Sequence, residues 1–179
     1  KLPNGEIVGM GIGCHSISGF LTPDEITNFT QMGGEGAFWI DRAPFSSHRH
    51  SFQNIGDGTY AHSGYLGIRA AVASGVNMTF KILYNGAVAM TGGQAVEGGQ
   101  TPWVMSRQLA AEGIGKIAIV TDAPDDLSPG FKWAQNSQIY HRRDILRVQQ
   151  ELKLIPGVTA IIYIQSCATE LRRKRKRGI

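Results

Sequence analysis

The chain has 179 residues and a mass of 19.4 kDa, the size of one domain with a short appendage at most. Hydrophobic residues at 42% and charged residues at 18% form an ordinary globular balance, which excludes disorder over most of the length. No apolar run approaches the ~18 to 20 residues of a membrane helix, and two cysteines, Cys14 and Cys167, cannot build a disulfide framework. The net charge of +4 is carried by one run, since Arg172 to Arg177 are six consecutive cations. Without them 12 Lys plus Arg stand against 14 Asp plus Glu, a net charge of −2. Residues 1–170 therefore read as a mildly acidic domain and 171–179 as a basic tail. A nucleic-acid-binding domain would spread its cations over a folded face, so no nucleic acid and no membrane partner is expected. The absence of an initiator Met and of a signal-peptide pattern leads to the expectation of a piece of a longer protein.

Along the chain, short apolar runs alternate with helical periodicity. Ile7 to Ile12 is the first strand signal, followed by Ser51 to Asn54 and Met78 to Tyr84. Tyr65, Ile68, Val72 and Val76 recur at three and four, which predicts a helix after a start near Tyr60. A further helix is predicted over Trp103 to Glu112, ending at Gly113, and a strand over Ile117 to Thr121. Ala123 to Gln138 has little periodicity and reads as a mobile surface loop. Ile145, Val148, Leu152 and Ile155 predict a helix stopped by Pro156-Gly157, and Val158 to Ile164 is the last buried strand. The fold class is α/β, with a mainly parallel sheet and helices on both faces. Ligand loops would then gather at the carboxyl ends of the strands.

Glycine is the compositional outlier, 23 residues against an average of about 7%. Three glycine-rich loops follow strand signals: Gly11 to His15, Gly56-Asp57-Gly58-Thr59, and Asn85-Gly86 running on to Gln94. Glycines ahead of a helix let backbone N–H groups turn toward a phosphate. An aspartate among them would repel that phosphate unless a divalent cation lay between, and Mg²⁺ favours carboxylate, carbonyl and phosphate oxygens. Asn85, 28 residues after Asp57, would supply a neutral oxygen from an adjacent strand end. A rival is His48-Arg49-His50 with Asp57 and His62 as a Zn²⁺ site of a metallohydrolase. His141, before Arg142-Arg143, reads as structural.

The stretches Gly11-Ile12-Gly13-Cys14-His15, Gln31 to Gly36 (QMGGEG), Phe52 to Tyr60 (FQNIGDGTY), His62-Ser63-Gly64, Lys81 to Asn85 (KILYN) and Ala87 to Gln94 (AVAMTGGQ) carry a resemblance. From about Gly9 to Gly178 the chain resembles the indolepyruvate ferredoxin oxidoreductases, within the 2-oxoacid:ferredoxin oxidoreductases. Gly86 departs from the pattern, standing where an aspartate is expected. The resemblance implies a thiamine diphosphate-binding fold with Mg²⁺ held by Asp57, Asn85 and the carbonyl of Ala87. Gly56, Gly58 and Thr59 would contact the diphosphate, with Gly13, Cys14, His15, His62, Met90 and Thr91 near the cofactor. Cys14 and Cys167 would be two ligands of a [4Fe–4S] cluster whose Cys-x-x-Cys pair lies upstream of Lys1. The activating glutamate would come from a pyrimidine-binding partner domain, so no catalytic residue is assigned in this chain.

The implied activity is the oxidative decarboxylation of indolepyruvate or another arylpyruvate to its acyl-CoA, with coenzyme A as acceptor and ferredoxin taking the electrons. A homodimer and a cytoplasmic location are expected. The alternatives are a non-oxidative thiamine diphosphate-dependent 2-oxoacid decarboxylase domain and a basic-tailed nucleic-acid-binding module.

Overall fold

Strands buried on both faces need near-continuous apolar runs, and the runs in this chain become the centre of the sheet. The computed structural model of the chain describes residues 2–20, 26–88, 93–96, 98, 100–127, 130–167, 171–172, 175–176 and 178. Its strands are β1 (Val8–Met10), β2 (Ile26–Phe29), β3 (Ser51–Gly56), β4 (Met78–Tyr84), β5 (Ala87–Val88), β6 (Gln94–Ala95), β7 (Ile117–Thr121), β8 (Ser137–His141) and β9 (Val158–Ile164). Seven of them form one parallel sheet in the order β2-β1-β3-β4-β9-β7-β8, while β5 and β6 pair separately as an antiparallel ribbon. The α/β, parallel expectation is met.

The helices are α1 (Ala37–Arg42), α2 (Asp57–Thr59), α3 (Tyr65–Ser74), α4 (Pro102–Ala111) and α5 (Ile145–Leu152). A π-helical turn, Tyr60–Gly64, joins α2 to α3, so one helical run starts at Asp57. Alternation along the strands sorts the core into two layers. Ile55, Phe80, Ile82, Ile119 and Ile162 pack on one face against Trp39 of α1, Ile68 of α3 and Met105 and Leu109 of α4. Ala118, Val120 and Ile161 turn to the other face and meet Val148 and Leu152 of α5. Each large apolar side chain, fully buried, contributes roughly 1.5–3 kcal/mol.

Three segments differ from the sequence reading. β2 and α1 lie where no element is expected, and β8 begins inside the stretch expected to be a loop. Ahead of β8, Phe131 stacks on Trp103 of α4 with centroids 4.1 Å apart, and Trp133 packs edge-on against both. That aromatic contact ties the segment to the core side of the domain. In the tail, Leu171, the apolar side chain most suited to anchor it, is 40% exposed. Glu170, Arg173, Lys174 and Arg177 lie outside the described residues. No helix among the described residues is long and apolar enough to cross a membrane.

One acidic side chain is built into the core. Glu35 is fully buried, and its Oε2 accepts the Gly33 N–H at 2.7 Å while Oε1 has no partner. A Cβ at Gly11 would collide with this carboxyl, and one at Gly67 of α3 with the Glu35 carbonyl. Burial pushes the Glu35 carboxyl above the usual carboxylate range, outweighing its backbone hydrogen bonds and the charge of His62. Such a group stabilises the fold fully below the unfolded-state value near 4.5, and that contribution is lost as pH rises through the folded-state value.

Glu35→Gln keeps the shape without the ionisation. Urea unfolding of both proteins at pH 5 and pH 8 should show the variant gaining on the wild type as pH rises. The gain should be ~1.4 kcal/mol for every tenfold by which folding weakens the acid; a pH-independent difference would contradict a buried neutral acid. Gly67→Ala reverses the usual helix preference. Alanine is better than glycine by about 1 kcal/mol in a helix interior, but here the collision dominates, so the variant should unfold at lower urea.

Candidate functional site

The order of strands reverses direction at β1, whose sequence successor β2 lies on one side and β3 on the other. A crevice opens at such a point beyond the carboxyl ends of the strands. In this chain it is a cleft of about 360 Å³ walled by three loops. After β1 come Gly13, Cys14 and His15, after β3 come Gly56, Asp57, Gly58 and Thr59, and after β4 come Asn85 and Ala87. Nine of the residues singled out in the sequence therefore share one cleft. His62 does not line it; the π turn leaves its side chain exposed. Met90 and Thr91 lie outside the described residues.

Asp57 joins two of the loops. It is 4% exposed, and its Oδ1 accepts the Gly58 N–H at 3.0 Å. Its Oδ2 accepts the N–H groups of Asn85 at 3.0 Å and Gly86 at 2.7 Å. The glycine at 86 has φ +69°, a left-handed conformation that brings its N–H onto the carboxylate. Burial nevertheless pushes the Asp57 carboxyl above its ordinary range, because desolvation outweighs these three bonds. Among the described residues no cationic side chain bonds this carboxylate, and a divalent cation would supply the positive charge. Asn85 Oδ1 accepts the Ala87 N–H at 2.8 Å, which holds the turn and leaves its second lone pair for a ligand.

The glycines flanking Asp57 have no internal cause. Gly56 has φ −77° and Gly58 lies in a helical turn, so neither backbone requires glycine. A Cβ at either position would meet nothing within 4 Å. Glycine in the first turn of a helix is a cost, up to about 1 kcal/mol against alanine, that the protein's own packing does not explain. Beside them Thr59, 1% exposed, has a hydroxyl with no partner. Open space at a helix start and an unused hydroxyl suit an anion.

Tyr60 Oη donates to Gln108 Oε1 at 3.0 Å and Tyr65 Oη to the Gln108 carbonyl at 3.2 Å, locking α4 to this helical run. His15 is neutral at physiological pH, since burial lowers it to about 4 against the backbone bond to Gly11, with Lys81 adding to the lowering. Ile12, Met32, Leu83 and Val88 give the cleft an apolar lining that sequence reasoning did not single out. Leu83 lies in the Lys81–Asn85 stretch, and the alternation of β4 points it away from the core layer containing Ile82.

Cys14 is exposed in the cleft, and Cys167 is half-buried beyond the end of β9. Among the described residues, no three His, Cys, Asp or Glu side chains gather as metal ligands. The zinc rival fails on geometry. His48 and His50 precede β3 and Asp57 follows it, so the six residues of the strand, ~20 Å, separate them. His50 is instead buried at the opposite end of the sheet, its Nε2 2.8 Å from Thr79 Oγ1. His141, as expected, is structural: its Nδ1 accepts the Arg143 N–H at 3.1 Å.

Two solved structures share the fold. The 2-oxoglutarate:ferredoxin oxidoreductase from Magnetococcus marinus, solved with 2-oxoglutarate, coenzyme A and succinyl-CoA bound, superposes with a TM-score of 0.66 at 17% identity over 91% of this chain and 55% of that one. A protein from Mycobacterium smegmatis, described as a thiamin diphosphate-dependent enzyme, gives 0.59 at 17% identity over 92% of this chain and 29% of its own. The chain thus spans about half of the first and under a third of the second. No curated protein sequence matches it. Residues 11–139, which run from the first glycine loop through the Asp57 and Asn85 loops to β8, match the family "thiamine pyrophosphate enzyme, C-terminal TPP binding domain". With that match covering well over half of its length, the chain belongs to the thiamine pyrophosphate enzymes as a C-terminal TPP-binding domain.

Proposed function

We propose that residues 1–170 are the thiamine diphosphate- and Mg²⁺-binding domain of a 2-oxoacid:ferredoxin oxidoreductase acting on indolepyruvate or a related arylpyruvate, with 171–179 a tail that docks on another part of the enzyme. The observation that carries the cofactor reading is the glycine pair around Asp57, empty on the protein side and aligned with the unpartnered Thr59 hydroxyl. The oxidoreductase reading is supported by the motifs shared with that family, by the fold likeness to the Magnetococcus enzyme, and by a cysteine in the cleft.

When bound, thiamine diphosphate supplies the electron sink for decarboxylation of a 2-oxo acid. The protein's part is binding and electrostatics. Asp57, Asn85 through Oδ1 and Ala87 through its carbonyl would hold Mg²⁺, and Gly56, Gly58 and Thr59 would receive the diphosphate. Gly13, Cys14 and His15 close the other wall, where a neutral imidazole adds a hydrogen-bonding group without adding charge. Ile12, Met32, Leu83 and Val88 would give the cofactor apolar contact in the cleft. His62, Met90 and Thr91 remain proposed neighbours of the cofactor, His62 by movement of its exposed side chain.

Cys14 and Cys167 would give two of the four thiolates of a [4Fe–4S] cluster, the others coming from outside this chain. The pyrimidine-binding domain, with the activating carboxylate, ferredoxin and coenzyme A are the proposed partners, in a cytoplasmic homodimer.

Calorimetry on the full-length protein tests the cofactor site. Asp57→Ala should abolish Mg²⁺-dependent thiamine diphosphate binding, and Asn85→Ala should weaken it less, because water replaces a neutral ligand. Unchanged affinity in both would remove the metal assignment. Gly58→Ala separates ligand from fold: unfolding should stay within about 1 kcal/mol of wild type or improve, while cofactor affinity falls by roughly tenfold or more as the methyl enters the cradle. A variant that lost stability and kept affinity would show that Gly58 serves the fold.

A further inference from the structure

Glu35 takes no part in the proposed cofactor contacts, yet its fully buried side chain supports the cleft walls. Its carboxyl lies against Gly11, where even a Cβ would collide with Oε1. Gly11 is the hub of the first loop. Its carbonyl accepts the Ser16 hydroxyl at 2.8 Å, and Ser16 Oγ in turn accepts the Gly13 N–H at 3.1 Å. The Ser16 N–H donates to the Gly13 carbonyl at 2.9 Å, so the turn 11–16 closes on itself. Gly13, Cys14 and His15, which wall the cleft, belong to this turn.

The same acid holds two further parts. Its Oε2 accepts the Gly33 N–H at 2.7 Å, and Gly33 follows Met32 of the cleft lining. A left-handed backbone at Gly33, φ +94°, presents that N–H. The Glu35 carbonyl lies against Gly67 of α3, in the helical run that Asp57 begins. One residue therefore contacts the first loop, the Met32 segment and the helix that leaves the second loop.

The protonation state decides how well that support fits. Oε1 is shielded from solvent and has no hydrogen-bond partner. The neutral acid leaves a bond unmade there, whereas a carboxylate sets an unsolvated charge against Gly11. Burial favours the neutral form, and His62 of the π turn, the charged group that acts on Glu35, favours ionisation. The other titratable groups on the elements around it are engaged elsewhere. Arg69 of α3 pairs with Glu112, while Tyr60 and Tyr65 bond Gln108. Asp41 and Arg42 of α1 are exposed, Cys14 opens to the cleft, and His15 is neutral. The Asp57 carboxylate is taken up by three loop N–H groups.

We propose that Glu35 is a positioning residue for thiamine diphosphate: its neutral carboxyl holds the turn 11–16 in the binding arrangement, and its ionisation releases that turn and weakens cofactor binding. The inference rests on the thiamine diphosphate reading of the cleft. By linkage, bound cofactor and the proton on Glu35 favour each other equally.

The test is titration of the full-length protein, with Mg²⁺, by thiamine diphosphate at pH 5 and pH 8, for wild type and Glu35→Gln, read by calorimetry. Comparing the two proteins at one pH cancels the cofactor's own protonation. They should bind alike at pH 5, and at pH 8 the wild type should bind about tenfold more weakly than the variant. Hydrogen exchange at pH 8 is the second readout: the Gly13 and Ser16 amides should exchange faster in the wild type than in Glu35→Gln. An affinity ratio that is the same at both pH values would overturn this inference and leave the cofactor reading standing. So would a pH-dependent ratio with equal exchange at Gly13 and Ser16, since the charge would then act without moving the turn. A wild type that bound no thiamine diphosphate at either pH would overturn the cofactor reading and this inference with it.

Discussion

The site depends on one buried carboxylate shared between two strand ends. Asp57 closes β3 and starts a helical run, and its oxygens take the N–H groups of Asn85 and Gly86 from the end of β4. Among the described residues this bridge is the polar link between the second and third loops beyond the end of the β3–β4 ladder at Gly56 and Leu83. Three charge-assisted bonds do not offset the desolvation, so the carboxyl remains above its ordinary range. A group that organises the loops while lacking counter-charge is suited to a cation, and the binding chemistry and the loop geometry have the same origin.

Apart from those in left-handed backbone, such as Gly86, the glycines near the site are of two physical kinds. Gly9, Gly11, Gly64 and Gly67 are glycines because a side chain would strike a neighbour: Gln53, Glu35, Ile55 and the Glu35 carbonyl respectively. They let β1 and α3 close on the polar residues beneath the cleft. Gly56 and Gly58 touch nothing, and their value appears only when something outside the protein fills the space. The first kind belongs to folding, the second to binding.

Much of the sheet is readable from residues alone. Met78–Tyr84, Ile117–Thr121 and Val158–Ile164 are β-branched, apolar and central, and their boundaries in the structure are those of the sequence pattern. β2 and β8 are edge strands of mixed polarity, ITNF and SQIYH, and half-exposure removes the apolar signal that marks the others. α1 spans six residues, too few for helical periodicity to declare itself. At the site, the loop residues were legible because their backbones carry the chemistry and need glycine. His62, placed near the cofactor by the resemblance, does not line the cleft, its side chain being exposed on the π turn. Glu35 has no local pattern that marks it as buried; tertiary packing alone makes it so. The same packing separates His50 from Asp57, which sequence proximity had grouped.

The central claim is that Asp57 and the strap from Asn85 to Ala87 form one metal–diphosphate site. The most direct measurement is the crystal structure of the full-length protein with thiamine diphosphate and Mn²⁺ in place of Mg²⁺, using the anomalous signal of manganese. The account predicts a single peak in contact with the Asp57 carboxylate, Asn85 Oδ1 and the Ala87 carbonyl, with diphosphate oxygens completing an octahedron. Bound cofactor with its metal away from Asp57, or with no metal beside the diphosphate, would contradict it.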